Sequence, residues 1–359
     1  MRTHQLLVMF QYKIHPSFKL NGKSYSKVEL VVLANSYCDS FYDYEQECGQ
    51  FLSKWLDEKD TLEVQTSGTT GKPKIIKINK LAMINSAIAT GKFLQLLAGN
   101  SAMCCLPVKY IAGKMMLVRA LVLGLEIDLV EPKSNPLEYN FKNYDFVAMV
   151  PLQVENSLQK LNQIKQLIIG GAKVNQVLEN QLKTTSCQVY ESYSMTETVT
   201  HIALKKIGEK VFTVLPNVFI ATDERGCLVI DAPQLNSVKI VTNDMVDILS
   251  EKQFIWKGRI DNVINSGGIK LFPEQIEEKL INSIASRFFI AGIADARLGE
   301  KVVLIVEGDE FALPETIFET LDKYEKPKSV YFLPTFLQTE TGKIKRKEIL
   351  KSINKKEQP

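Results

Sequence analysis

Between residues 100 and 170 the chain alternates short apolar runs with helical or polar spacers. Ala102 to Leu106, Glu126 to Val130, Phe146 to Val150 and Gln166 to Ile169 each have the length and composition of a buried strand. The most apolar stretch, Met115 to Val130, is interrupted by Arg119, Glu126 and Asp128, so it reads as a buried helix followed by a strand and not as a membrane span. Strands separated by amphipathic segments predict an α/β domain with a largely parallel sheet. From Gly226 to Ile240 the pattern becomes short alternating strands, Cys227 to Ile230 and Val238 to Val241, a β-rich part that closes the large domain.

After Gly258-Arg259-Ile260-Asp261 the texture shifts again. A helix is expected over Pro273 to Ile281, with Ile276, Leu280 and Ile281 on one side and Glu274, Glu277, Glu278 and Lys279 elsewhere. Strands Phe288 to Ile293 and Val302 to Val306 follow. This is a small α+β domain, and the boundary falls at Asp261, dividing the chain into residues 1–260 and 261–359. No internal repeat or low-complexity segment interrupts either part.

Composition narrows the class. The chain has 359 residues, 45% hydrophobic and 24% charged, as expected of a globular protein with two domains. A formal net charge of +3 makes nucleic acid a poor partner, the basic residues being dispersed apart from Lys343-Ile344-Lys345-Arg346-Lys347 and Lys355-Lys356. The six cysteines form no C-x-x-C pair and have no histidines at zinc spacing, so neither a disulfide framework nor a structural metal is expected. With no signal-like apolar start, a reducing cytoplasm and no membrane insertion are the expectation.

The chemistry concentrates in Thr66-Ser67-Gly68-Thr69-Thr70-Gly71-Lys72-Pro73-Lys74, set between the apolar runs Leu62 to Val64 and Ile75 to Ile78. Glycines let the backbone turn, hydroxyls and exposed N–H groups can donate to phosphate oxygens, and Lys72 and Lys74 add charge. Only two residues separate Gly68 from Gly71, and Pro73 blocks a helix start, which excludes the G-x-x-x-x-G-K-[ST] nucleotide loop. A phosphate-handling hairpin is predicted; a polar hairpin turn is the alternative.

Four clusters follow in order. Gly170-Gly171-Ala172-Lys173 comes directly after the strand Leu167 to Ile169, where small residues leave room for a flat ring or simply make a tight turn. Glu191-Ser192-Tyr193-Ser194-Met195-Thr196-Glu197-Thr198 follows the strand Gln188 to Tyr190. There Tyr193 can stack on a base, Thr196 can bond phosphate, and Glu197 can hold Mg²⁺ as a hard oxygen ligand. Asp244, in Thr242-Asn243-Asp244, suits two ribose hydroxyls, with Arg259 as an added donor; a loop salt bridge is the alternative. Lastly, Thr339 to Arg346 carries Lys343 on a glycine-containing loop, which taken alone is a charged surface loop.

Over residues 62 to 349 these segments, in this order, resemble the adenylate-forming family of acyl-CoA synthetases, adenylation domains and luciferases. The resemblance implies a large ATP-binding domain and a small carboxyl-terminal lid turning about Asp261. It implies ATP, Mg²⁺ and coenzyme A as cofactor and co-substrates. Thr66 to Lys74 would hold pyrophosphate, with Gly171, Ala172, Tyr193, Asp244 and Arg259 on the nucleotide and Glu197 on the metal. Lys343 would act in acyl-adenylate formation with Thr196 and Glu197, and Gly267-Gly268 would then line the channel for the incoming thiol.

In family members far more sequence precedes the phosphate loop, so the large domain is expected to be trimmed at its amino terminus. That economy resembles the short o-succinylbenzoate-CoA ligases of menaquinone biosynthesis, above all in Leu106-Pro107-Val108-Lys109-Tyr110-Ile111-Ala112-Gly113 and in Arg119, six residues past Gly113. By that resemblance Arg119, Tyr110, Gly170 and Ser194 face the acid. Tyr110 stands where histidine is common, Ser194 and Asn243 where glycine is usual. An arginine inside an apolar helix demands an anionic partner, which is either a second carboxylate of the substrate or a structural acid such as Glu126 or Asp128. Lys109 and Lys114 are further candidate anchors. A ligase for another aromatic acid, an enzyme loading a carrier protein, and a nucleotide-binding regulator without catalysis are the other functions compatible with the sequence.

Overall fold

The apolar runs between residues 100 and 170 lie side by side in the computed structural model, which describes residues 14–65, 75–338 and 344–357. After two short paired segments, Lys19–Leu20 and Lys23–Ser24, come the helices α1 (Lys27–Cys38) and α2 (Asp43–Leu56), packed on each other. Gly49 makes that contact possible, because a Cβ there would stand 2.6 Å from the Ala34 carbonyl oxygen. Strands β1 (Thr61–Gln65) and β2 (Ile75–Asn79) then pair antiparallel, Gln65 opposite Ile75. They frame the predicted phosphate hairpin, whose residues Thr66 to Lys74 lie outside the described residues.

Helix α3 (Lys80–Leu94) leads to β3 (Ser101–Cys104), α4 (Ile111–Leu123) and β4 (Glu126–Leu129); β5 (Tyr144–Met149), β6 (Ile164–Ile169) and β7 (Gln188–Ser194) follow. In space the order is β4-β3-β5-β6-β7, all parallel, as the alternating pattern predicted. Such a sheet presents ligands beyond its carboxyl edge. Beyond β7 the pairing turns antiparallel with β8 (His201–Lys206), and further on with β9 (Ile240–Ser250) and β10 (Gln253–Arg259). Among the described residues this sheet has thirteen strands.

Helix α4 buries Met115, Met116, Leu117, Val118, Ala120 and Leu121, with Lys114 and Arg119 the two charges among them. Helix α3 crosses it closely at Gly91, where a Cβ would stand 2.8 Å from Leu123. The chain leaves the large sheet at Arg259, turns through Ile260–Asn262, and enters a second sheet. That sheet holds β11 (Ile264–Ser266), β12 (Ile269–Leu271), β13 (Phe288–Asp295), β14 (Gly299–Glu307) and β15 (Ser329–Leu333). Helices α5 (Pro273–Leu280) and α6 (Arg346–Glu357) accompany it. Its apolar core is separate, built on Ile276, Leu280, Ile290 and Leu304.

Two segments extend the sheet beyond the strands read from the sequence. β7 runs past Tyr190 through Tyr193 to Ser194, opposite His201. Thr242-Asn243-Asp244 lies inside β9, with Asp244 opposite Arg259, so the loop salt bridge considered as the alternative is instead a cross-strand neighbour. Cross-strand pairing overrides the local preference of Ser, Thr and Asn for turns.

Candidate functional site

At the carboxyl edge of the parallel strands, Gly170 donates its N–H to the Met149 carbonyl at 3.1 Å. A Cβ on Gly170 would come 2.8 Å from Ser192 Oγ, whose hydroxyl donates to the Ile169 carbonyl at 3.0 Å. Gly171 has φ +85°, a conformation glycine adopts without strain. Gly171 and Ala172 are exposed and bear nothing larger than a methyl group, leaving a flat ledge. Lys173 beside them reaches Glu278 at 3.5 Å and lies over the Trp256 ring.

Next to the ledge, β7, β9 and β10 build a polar cluster around Asp244. Its Oδ2 accepts from the Tyr193 hydroxyl at 2.6 Å and its Oδ1 from Trp256 Nε1 at 3.3 Å, with Arg259 Nη1 3.9 Å away. Burial and the adjacent carboxylate push the Tyr193 phenol above its ordinary range, so it stays a donor. The Tyr193 ring meets Phe254 and Phe212 edge-on, at 5.4 and 5.9 Å between centroids. Tyr193 is thus a fixed aromatic wall, and Asp244 is an oriented anion whose oxygens retain spare lone pairs for hydroxyl groups. The sequence reading missed Trp256, although it stands only three residues before Arg259.

The turn Thr196–Thr198 follows β7. Glu197 is exposed, and no hydrogen bond or ion pair engages its carboxylate among the described residues. Nothing is described of the Thr196 side chain. Thr198 is buried, its hydroxyl 2.9 Å from the Met195 carbonyl and 2.7 Å from the Thr200 carbonyl, which share its single proton. The next residue, Val199, is β-branched yet has φ +68°, a strain of about 1–3 kcal/mol of the kind that collects at functional sites. No three His, Cys, Asp or Glu side chains gather into a metal cage among the described residues. A single free carboxylate such as Glu197 instead fits a Mg²⁺ ion held mainly by phosphate oxygens.

On the other flank stands Arg119. Gly113 lets the preceding loop fold onto the first turn of α4, since a Cβ there would meet the Pro107 carbonyl oxygen at 2.3 Å. Tyr110 caps that turn and is exposed, with Lys109 Nζ 5.4 Å from its ring centroid. Two expected anchors are committed elsewhere: Lys114 donates to the Val108 and Lys109 carbonyls at 2.7 and 2.6 Å, and Lys109 pairs with Glu47 at 3.6 Å. Lys114 is a buried strut of the loop, because its chain turns back along its own helix start.

Arg119 is 3% exposed. Its Nη2 reaches Thr200 Oγ1 at 3.4 Å and His201 Nδ1 at 3.5 Å, and Nη1 points at Met116 Sδ; Nε has no acceptor. Burial pulls its guanidinium down to about 10, and burial with the Arg119 charge keeps His201 well below the usual imidazole range. The structural acids considered from sequence do not serve it: Glu126 pairs with Lys19 at 2.7 Å, and Asp128 with Lys142 at 2.7 Å. No carboxylate partners Arg119 among the described residues.

Beyond the sheet, Asp261 accepts from Arg259 Nη2 at 3.1 Å and from Asn243 Nδ2 at 3.3 Å, and the Arg259 contact holds its carboxyl below the usual range. Gly267 and Gly268, at φ +59° and +83°, make the two-residue turn between β11 and β12. A Cβ at Gly268 would touch nothing within 4 Å, so the turn is open on that side. Lys343 lies outside the described residues.

A flat ledge, an oriented carboxylate and a free acidic turn at one sheet edge suit a nucleotide. The family model for AMP-binding enzymes matches residues 23–239. The chain belongs to that family. A 2-succinylbenzoate–CoA ligase of Haemophilus influenzae is 24% identical to this AMP-binding enzyme over 356 residues, 89% of the chain and 77% of the relative. The acyl-CoA synthetase (AMP-forming)/AMP-acid ligase II-like protein of Dyadobacter fermentans is 37% identical, with a TM-score of 0.62 over 90% of this chain and 98% of that one. O-succinylbenzoate coenzyme A synthetase (MenE) of Bacillus subtilis, solved with ATP and magnesium ion, shares the fold with a TM-score of 0.69 at 18% identity, covering 83% of this chain and 74% of its own. The adenylate-forming enzyme fold expected from the motifs is therefore the fold observed. No helix among the described residues is long and apolar enough to cross a membrane.

Proposed function

We propose that this AMP-binding enzyme is an ATP-dependent acid–thiol ligase that converts o-succinylbenzoate to its CoA thioester. The observation that carries the choice of acid is Arg119, a buried guanidinium without a carboxylate partner among the described residues. An unpaired buried cation is expensive unless a ligand completes it, and a diacid offers one carboxylate to be held while the other reacts. The names of the curated relatives supply the particular diacid.

In the first half-reaction a carboxylate oxygen of the acid bonds to the α-phosphorus of ATP, and the bond to the pyrophosphate oxygen breaks. Thr66, Ser67, Gly68, Thr69, Thr70, Gly71, Lys72 and Lys74 receive the departing pyrophosphate, and Lys343 bridges acyl and phosphate oxygens as charge builds. Gly171 and Ala172 leave space for the base against Tyr193, while Asp244 and Arg259 take the ribose. Glu197 would hold Mg²⁺, which when bound would supply positive charge to the phosphate oxygens, and Thr196 adds a hydroxyl donor. Gly170, Ser194 and Tyr110 border the acid.

In the second half-reaction the CoA sulfur bonds to the acyl carbon, the bond to AMP breaks, and the thiol proton passes to solvent. Passage of the chain from one sheet to the other at Ile260–Asn262 supports a division into residues 1–260 and 261–359, with the smaller part turning about Asp261 to exchange Lys343 for the Gly267-Gly268 turn. Six free thiols suit a reducing, cytoplasmic setting.

Purified protein with ATP, Mg²⁺, CoA and a panel of acids is expected to release AMP in step with o-succinylbenzoyl-CoA. Activity confined to other acids overturns the substrate, and absence of ATP–pyrophosphate exchange with every acid overturns the ligase. Lys343→Ala is expected to abolish exchange while leaving ATP binding largely intact.

A further inference from the structure

The contacts behind Arg119 continue away from the ledge into the gap between α3 and β8. Thr90, fully buried on α3, sits one residue before Gly91 and sets its hydroxyl against the buried His201 ring of β8. Thr90 Oγ1 lies 3.0 Å from the Ser86 carbonyl and 3.1 Å from His201 Nε2. On the opposite side of the same ring, Nδ1 lies 3.5 Å from Arg119 Nη2 and 3.3 Å from Thr200 Oγ1.

Proton counting fixes the direction of this chain. The Ser86 carbonyl is an acceptor only, so the single Thr90 proton goes to it and Thr90 must accept from His201 Nε2–H. A guanidinium has donors only, so His201 must present a bare Nδ1 lone pair to Arg119. Both ends of the series demand one tautomer, neutral with its proton on Nε2, and a backbone carbonyl of helix α3 anchors it.

We infer that His201 is a positioning residue for the acid site: through the Ser86–Thr90–His201 series it holds the Arg119 guanidinium in place, so that its remaining donors face the substrate's second carboxylate. This rests on the reading that Arg119 receives that carboxylate. A neutral acceptor suits the task because a carboxylate there would satisfy Arg119 outright and leave nothing for the ligand, whereas an apolar residue would let the long side chain swing. Burial and the nearby Arg119 charge also keep the ring unprotonated, as the geometry requires.

Steady-state kinetics of the full chain test this with o-succinylbenzoate and with 4-oxo-4-phenylbutanoate, which lacks the ring carboxylate. His201→Phe keeps the ring volume and removes the acceptor. It is expected to raise KM for o-succinylbenzoate by about 10-fold with kcat nearly unchanged, and to leave KM for the mono-acid unchanged. His201→Asn, whose Oδ1 replaces Nδ1, is expected to restore most of the loss. Equal effects on both acids, or no effect on either, overturn the assignment. On the wild-type protein, ¹⁵N NMR of the imidazoles is expected to show His201 neutral and protonated at Nε2; a proton on Nδ1 overturns it independently of any variant. Arg119→Ala separates the two layers. If it leaves the preference for the diacid intact, the underlying substrate reading fails; if it removes the preference while His201→Phe does not, only the role of His201 fails.

Discussion

Two arginines, one in each half of the molecule, show opposite ways of placing a guanidinium inside a protein. In the carboxyl-terminal half Arg346 is bidentate on Glu277, at 2.7 and 2.9 Å, and lies over the Phe289 ring. Glu277 in turn accepts the Ile290 N–H at 2.9 Å, so the pair closes on itself and ties α6 to α5 and β13. Arg119, beneath the larger sheet, is more deeply buried, and yet its partners among the described residues are a threonine, a histidine and a thioether, with Nε left over. A structural arginine completes its bonds within the protein; one kept for an anionic ligand leaves them open.

Stability separates the two first. Glu277→Ala strands Arg346 without its carboxylate and should lower unfolding free energy by about 2–3 kcal/mol, somewhat below a fully buried pair because both side chains keep some solvent contact. Denaturant titration reads this, and a loss under 1 kcal/mol would blur the contrast.

The second effect follows from the pH dependence of folding. His201 is held neutral in the folded protein, whereas an unfolded histidine gains a proton near 6.5. Its pKa is depressed on folding, so its contribution is fully present above pH 6.5 and is lost as pH falls below that value. The wild type should therefore lose up to about 1.4 kcal/mol more per pH unit on the acid side than His201→Phe. Identical slopes for the two proteins would place a protonated imidazole beside Arg119.

The smallest effect has the opposite sign to the first. Arg119→Met removes a buried charge that no carboxylate among the described residues offsets, and should stabilise the ligand-free protein by about 1 kcal/mol while abolishing the thermal stabilisation conferred by o-succinylbenzoate. Destabilisation comparable to that of Glu277→Ala would make Arg119 a structural residue.

Much of this arrangement was legible in the sequence because it is local. The strands β3 to β6, the buried helix α4 and the glycines at 170 and 171 follow from apolar runs and small residues read in order. The arginine conflict in α4 was visible for the same reason, since one charge in an apolar helix needs an answer. What escaped depends on contacts between distant segments. His201 meets Arg119 across 82 residues of chain, and Trp256 reaches Asp244 only because β9 and β10 pair. Lys114 shows the reverse error: a lysine that looked free to bind an anion is consumed by carbonyls of its own preceding loop.

The central claim is that Arg119 stands open for the second carboxylate of the substrate. The most direct measurement is kcat/KM of Arg119→Ala for o-succinylbenzoate and for 4-oxo-4-phenylbutanoate. Loss of a charged hydrogen-bonding partner is expected to lower the first by about 30- to 1000-fold, roughly 2–4 kcal/mol, and to leave the second within about 3-fold of wild type. An equal decline for both acids, or none for the diacid, would contradict it.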